Sequence, residues 1–252
     1  MIKIKNIIIF VIFTFMITNV NASSDIKLNK VTIDLEDGAA LKRGARVFFD
    51  YCQGCHSLKY MRYNNLADGI QLINKSDKNN VMLITEYFMH STNIINENSP
   101  ILTSLSNESG VKWFGKNPPD LSLLSRYRGN NWIYSYMKSF YKDESRPWGV
   151  NNLIFPDVGM PHILLKLQGL QILKDNFEKH TDIEKMLELI ENGDISKEKY
   201  DFLIKDLVTF LSYVGEPVQT ERKNLGFWVV LYCIFLSIIL YFTKKAFWKD
   251  IK

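Results

Sequence analysis

The run Cys52-Gln53-Gly54-Cys55-His56 concentrates the chemistry available to this chain. Two thiols three positions apart suit a zinc half-site, a thioredoxin-like dithiol or a point of covalent haem attachment. The His immediately after them separates these. On a helical turn, positions i and i+3 bring β-carbons to about 5–6 Å. The thiols can then add to the two vinyl groups of one haem while the adjacent imidazole reaches the iron from the same side. A zinc site would need a second Cys or His cluster, which the sequence lacks. A redox dithiol would open a helix after a strand. Residues 39–49 instead place Leu41, Ala45 and Phe48/Phe49 on one face and predict a helix leading into the motif. One covalent haem c is the expected cofactor, with Cys52 and Cys55 as tethers and His56 on the iron.

The other axial position then needs a ligand from elsewhere. The remaining His residues are His90, His162 and His180. Met61 is five positions from His56 and can hardly reach the opposite face, while Met137 and Met186 lie in segments of helical periodicity, where Met ordinarily packs a core. Spacing alone leaves Met82 and Met89 open. Met160 lies in Phe155-Pro156-Asp157-Val158-Gly159-Met160-Pro161, where Pro161 biases it away from helix and Gly159 permits close backbone approach. Such a loop can present a thioether to a flat ring. Met160 and His162 stand as rivals, the first giving His/Met iron and the second bis-His iron.

The elements that must position these groups lie between two apolar segments. Lys3 and Lys5 precede an apolar run over 7–17 and small residues ending at Ala22, the layout of a secretory signal peptide over 1–22. An uncleaved membrane helix is the alternative, but the run is short for a span of about 20 residues. Residues 225–243 carry no charge across 19 positions, about 28 Å of helix at about 1.5 Å per residue. Trp228, Tyr232 and Tyr241 near its ends suit membrane interfaces. Arg222 and Lys223 stand before it, and Lys244, Lys245, Lys249 and Lys252 after it, which predicts a cytoplasmic tail. The expected organisation is a signal peptide (1–22), an exported haem domain (23–221), an anchor with its flank (222–243) and a cytoplasmic tail (244–252). Cys233 falls in the anchor, as an apolar filler.

Composition agrees with this division. The whole chain of 252 residues has formal charge +4, yet 23–221 holds 23 Lys plus Arg against 26 Asp plus Glu, a net −3. A 23% charged and 46% hydrophobic chain is too apolar for disorder and too polar for a polytopic membrane protein. No basic patch argues for nucleic acid. The three Cys cannot staple a disulfide scaffold. Within 174–206 the apolar residues Phe177, Ile183, Met186, Leu187 and Ile190 recur at helical spacing among Asp, Glu and Lys, which predicts a solvated amphipathic helix pair.

The runs RGARVFFDYCQGCHSLKYMRYNNL, NPPDLSLLSRYRGNNWIYSYMKSFY, NNLIFPDVGMPHIL and DLVTFLSYVGEPVQTERKNLGFWVVLY resemble, in order, the blocks of cytochrome c1, the haem subunit of the cytochrome bc1 complex. The resemblance implies a mainly α, c-type cytochrome haem domain with long loops and one C-terminal transmembrane helix. It also implies Cys52 and Cys55 as thioether attachments, His56 and Met160 as axial ligands, Arg128 on a haem propionate, and Pro118 and Pro119 as haem-wall residues. A guanidinium forking onto a carboxylate suits the Arg128 role, although a solvated surface charge is the alternative. Trp132, Tyr136 and Phe140 at i, i+4, i+8 form an aromatic helix face that suits plain core or haem lining. The chain departs from the family after Met160, with Pro161-His162-Ile163 where a proline run is usual.

The function this resemblance implies is a one-electron relay in the bacterial inner membrane. The haem domain would stand in the periplasm, beside a cytochrome b subunit. It would take electrons from a Rieske iron–sulfur protein and pass them to a c-type cytochrome acceptor. The competing readings are a membrane-anchored c-type cytochrome subunit of a terminal oxidase or nitric oxide reductase, and, from another class, an anchored thiol protein using Cys52 and Cys55 as a dithiol.

Overall fold

Asp37 starts the first helix by accepting the N–H groups of Ala39 and Ala40 at 3.0 and 2.9 Å, satisfying donors that a helix start leaves open. The computed structural model describes residues 26–72, 86–88, 96–174 and 182–249. The expected signal peptide (1–22) and the candidates Met82, Met89, His90 and His180 lie outside the described residues. Helix α1 (Gly38–Val47) buries Ala40, Leu41, Gly44, Ala45 and Val47. It widens into a π-type turn over Phe48–Cys52, where the Gln53 N–H reaches the Phe48 carbonyl at 2.9 Å. Such wide turns recur at functional sites, and this one delivers the Cys-x-x-Cys-His run.

After it come β1 (Leu58–Arg62), α2 (Tyr63–Gly69), β2 (Pro100–Ile101), α3 (Asn107–Phe114), α4 (Leu124–Arg128), α5 (Asn130–Lys138), β3 (Phe140–Lys142) and β4 (Val150–Asn152). The chain continues through α6 (Leu165–Gln168), β5 (Gly169–Leu173), α7 (Ile183–Met186), β6 (Leu187–Asn192), α8 (Lys197–Gly215) and α9 (Gln219–Phe247). The strands pair antiparallel as β1–β2, β3–β4 and β5–β6. The described chain is thus mainly helical with long connections and short ladders, as expected.

Helices α1 and α8 cross at Gly44. A Cβ there would lie 2.1 Å from the Asp206 carbonyl oxygen and 2.7 Å from Phe210 Cβ, so only a missing side chain lets the backbones meet. Arg43 forks onto the buried Asp206 carboxylate at the same crossing, with Nε to Oδ2 at 2.6 Å and a terminal nitrogen to Oδ1 at 3.2 Å. A bidentate charge-assisted pair fixes orientation as well as adding energy. Around the crossing, Phe48, Leu58, Leu66, Ile70, Ile101, Leu207, Val208 and Phe210 are fully buried, with the Phe48 and Phe210 rings 5.6 Å apart.

Of the amphipathic helix pair expected in 174–206, residues 175–181, with Phe177, lie outside the described residues and 197–206 form the start of α8, but the stretch between them departs from the expectation. The helix stops at Met186, and Leu187–Asn192 runs as a strand against Gly169–Leu173, with Leu173 opposite Leu187. Ile183, Met186 and Leu187 are buried as the periodicity requires, but Ile190 is exposed. The ladder with β5 overrides local helical spacing, which a sequence window cannot sense.

Helix α9 runs unbroken from Gln219 to Phe247 and is long and apolar enough to cross a membrane. None of its residues is buried against the rest of the chain, and Cys233 lies exposed on it. At the corner between α8 and α9, Glu216 accepts from Arg222 of α9, from Gln219 at 3.3 Å and from Arg126 of α4, the last in a 3.2 Å ion pair.

Candidate functional site

The Cys-x-x-Cys-His turn is closed by two backbone bonds. The N–H groups of Cys55 and His56 both reach the Cys52 carbonyl, at 3.0 and 2.9 Å. This puts the two thiols and the imidazole on one wall of a cavity of about 470 Å3, within the range of cofactor pockets. Burial pushes the Cys52 thiol up to about 12, reinforced by Cys55, and raises the Cys55 thiol as well. A reactive dithiol requires the opposite shift, a thiolate stabilised near neutral pH.

His56 is oriented from behind. Its Nδ1 lies 2.8 Å from the Pro119 carbonyl oxygen, which can only accept, so Nδ1 carries the proton and the Nε2 lone pair is left free for a metal. Burial lowers the imidazole pKa, the Pro119 carbonyl and Asp120 opposing in part, and a neutral ring is the form that ligates.

The Pro118-Pro119-Asp120 block is held to the motif by its own polar groups. Asp120 Oδ2 accepts the Lys59 N–H at 2.8 Å and Oδ1 accepts the Ser122 N–H at 3.0 Å. Ser122 Oγ accepts the Tyr60 N–H at 3.2 Å, and the Ser57 carbonyl accepts the Leu121 N–H at 2.9 Å. Asp120 and Ser122 therefore set the height of the Pro119 carbonyl behind His56. Sequence reasoning named the two prolines as wall residues, which line the cavity. It missed Asp120 and Ser122, whose only signal was their position inside the most distinctive block of the resemblance.

The loop carrying Met160 comes from the β3–β4 hairpin. Asn152, fully buried, accepts the N–H groups of Ile154 and Phe155 on its Oδ1 at 2.9 and 3.2 Å. Asn151 Oδ1 accepts the Asp157 N–H at 2.9 Å, and Arg146 pairs with Asp157 at 2.8 Å. Asp157 takes the left-handed conformation, φ +60°, which Asp tolerates better than most residues. Gly159 approaches the α3 end closely enough that a Cβ would stand 3.2 Å from the Phe114 carbonyl oxygen.

Met160 lines the cavity, together with Cys52, Cys55, His56, Trp132 and Tyr136. His162 is not among the lining residues. Its ring stacks on Phe140 at 4.7 Å and 5°, and burial drops its pKa to about 4, with Gln168 opposing in part. Of the two rivals in the loop, only Met160 faces the cavity, though Met137 also lines it. Met61 is buried in the core and Met186 in a separate cluster with Leu153, Ile183 and Leu187.

Arg128, at the end of α4, lines the same cavity. Its guanidinium sits 4.9 Å from the ring centroids of both Tyr127 and Trp132, and no salt bridge engages it among the described residues. Trp132 and Tyr136 stack at 5.1 Å and 11°, and Phe140 meets Tyr136 edge-on at 5.2 Å. The aromatic stripe thus serves in both ways: Trp132 and Tyr136 face the cavity, whereas Phe140 is fully buried beneath it. Burial pushes the Tyr136 phenol well above its ordinary range, so its hydroxyl stays protonated.

These residues fit a covalent haem. Two thiols and a ring nitrogen with a fixed tautomer stand at one wall, a thioether faces the space, a guanidinium borders it and aromatic and proline surfaces line it.

Residues 29–251 match the family model described as the Cytochrome C1 family. The cytochrome c1 of Allochromatium vinosum is 42% identical over 89% of this chain and 89% of its own length. The ammonia monooxygenase gamma subunit of Nitrosomonas europaea is 35% identical over 92% of each. Among solved structures, a chain of a hyperthermophilic respiratory Complex III superposes with TM-score 0.46 at 14% identity, covering 99% of this chain and 98% of that one. With nearly its whole length matched by the family model and by a relative at 42% identity, this chain belongs to the cytochrome C1 family.

Proposed function

We propose that the chain carries one covalent c-type haem and works as the one-electron relay of a bc1-type quinol–cytochrome c reductase. The observation that carries this reading is the pairing of His56 Nδ1 with the Pro119 carbonyl at 2.8 Å beside the two partly exposed thiols, with Met160 lining the same cavity. Family membership favours this subunit over a terminal-oxidase or nitric oxide reductase cytochrome, and the raised thiols disfavour the dithiol reading.

When bound, the haem supplies an iron that takes and gives up one electron without bond-making in a substrate. The protein supplies the rest. Cys52 and Cys55 would tether the macrocycle, and His56, kept neutral by burial and turned by Pro119, would offer its Nε2 to the iron. Met160 would supply the second ligand, a pair that raises the potential. Arg128 would pair with a propionate, and Pro118, Pro119, Trp132 and Tyr136 would exclude water from the ring.

Helix α9 anchors the domain in the bacterial inner membrane, with residues 23–221 in the periplasm and 244–252 in the cytoplasm after removal of 1–22. The flanking charges support that orientation. The neighbours in this reading are a cytochrome b subunit, a Rieske iron–sulfur protein as donor and a c-type cytochrome as acceptor. The −3 on 23–221 favours a basic acceptor by steering.

The test is to purify the native membrane complex. Haem that stays with this polypeptide in a denaturing gel, with cytochrome b and a Rieske protein co-purifying, is the expected result. A copper-containing oxidase as partner overturns the assignment.

A further inference from the structure

The Tyr136 hydroxyl donates to Met160 Sδ at 3.4 Å. A thioether sulfur is a weak acceptor, and a buried phenol usually finds an oxygen, so this pairing is a costly use of a hydroxyl unless the sulfur needs it. The phenol ring has little freedom to move, being stacked on Trp132 at 5.1 Å and met edge-on by Phe140 at 5.2 Å. The Met160 side chain, by contrast, has three rotatable bonds and adapts to whatever surrounds it. A rigid donor therefore aims at a flexible acceptor across the cavity wall. The sulfur has two lone pairs. With one directed at the iron, the second remains for the hydroxyl, so both contacts can hold together.

We propose that Tyr136 is a positioning residue for electron transfer. It holds the Met160 sulfur in the ligating rotamer and, with the positive end of its O–H dipole turned to that sulfur, favours the reduced iron. This deepens the haem reading of the proposed function and rests on it. Electrostatics sets the sign: reduction removes one positive charge from the iron, so a positive dipole end beside its ligand stabilises the product. The effect is strengthened in a water-poor, low-dielectric wall.

Tyr136→Phe keeps the ring stack and removes only the hydroxyl. In the full-length protein within its complex, the Met-to-ferric-iron charge-transfer band is expected to persist. The midpoint potential is expected to fall, by up to about tenfold in the reduction equilibrium constant, or about 59 mV for one electron. An unmoved potential with the band intact overturns the inference while leaving the haem reading in place. Absence of the band from the unsubstituted protein overturns the inference together with Met160 ligation, whereas loss of haem from the polypeptide in a denaturing gel overturns the haem reading itself. A second measurement needs no variant: after exchange into heavy water, the iron–sulfur stretch in the resonance Raman spectrum of the unsubstituted protein should shift, and an unchanged frequency also overturns the proposal.

Discussion

Asp120 accepts the backbone N–H of Lys59 at 2.8 Å, and through that contact the loop supporting His56 is pinned to the strand just beyond the haem motif. The same carboxylate takes the Ser122 N–H. Hydrogen bonds to a charged group are worth about 1.5–3 kcal/mol each. Asp120→Ala should therefore lower stability by about 2–4 kcal/mol and loosen the Pro119 carbonyl from His56. Denaturant titration of the holoprotein measures the first, and the linewidth of the His56 Nδ1 proton by NMR the second. A denaturation midpoint equal to that of the unsubstituted protein would show that the clamp contributes nothing.

Met160→Leu should abolish the Met-to-ferric-iron charge-transfer band and lower the midpoint potential, because His/Met iron has the higher potential. His162→Ala should leave the band unchanged, since that ring stacks on Phe140 away from the cavity. If the band survives the first substitution and disappears with the second, the ligand assignment is reversed.

Arg128→Gln should lower the potential and change its pH dependence, because a guanidinium at the cavity wall would no longer balance a propionate. Arg128→Lys keeps the charge but loses the planar fork, so it should fall between the two. Redox titration across pH 6–9 would report both. Identical curves for Arg, Lys and Gln would return Arg128 to a solvated role.

Glu216 ties the corner between α8 and α9 to Arg126 of α4. The Arg222 hydrogen bond, aided by Gln219 and the Arg126 charge, holds its carboxyl down to about 2, below the usual value of about 4.3 for an unfolded Glu. A depressed folded pKa contributes stability that is complete above the unfolded value and disappears as pH falls through the folded one. The melting-temperature advantage of the unsubstituted protein over Glu216→Gln should thus be largest above about pH 4.5 and shrink towards pH 2. An advantage that stays constant over that range would rule the linkage out.

Much of the site was legible before any fold was known. Cys52, Cys55 and His56 are adjacent in the chain, so local geometry alone brings them to one turn, and the 19 uncharged residues of 225–243 need only be counted. The resemblance added Arg128, Pro118 and Pro119, all three of which line the cavity. Tyr136 was visible as one of an aromatic stripe, but its hydroxyl has no sequence signal pointing at Met160, 24 positions away.

Residue type and spacing by themselves determined that two thiols and an imidazole share one turn and that a membrane-length helix follows, because those depend on contacts within a few residues. Tertiary structure decided the rest. Met160 and His162 share one loop and both can bind iron, yet the stack on Phe140 removes one of them from the cavity wall. Residues 183–190 have helical spacing, yet the open edge of Gly169–Leu173 draws Leu187–Asn192 into a strand. Both outcomes depend on partners distant in sequence, whose packing and hydrogen bonds outweigh the local preferences of a short segment.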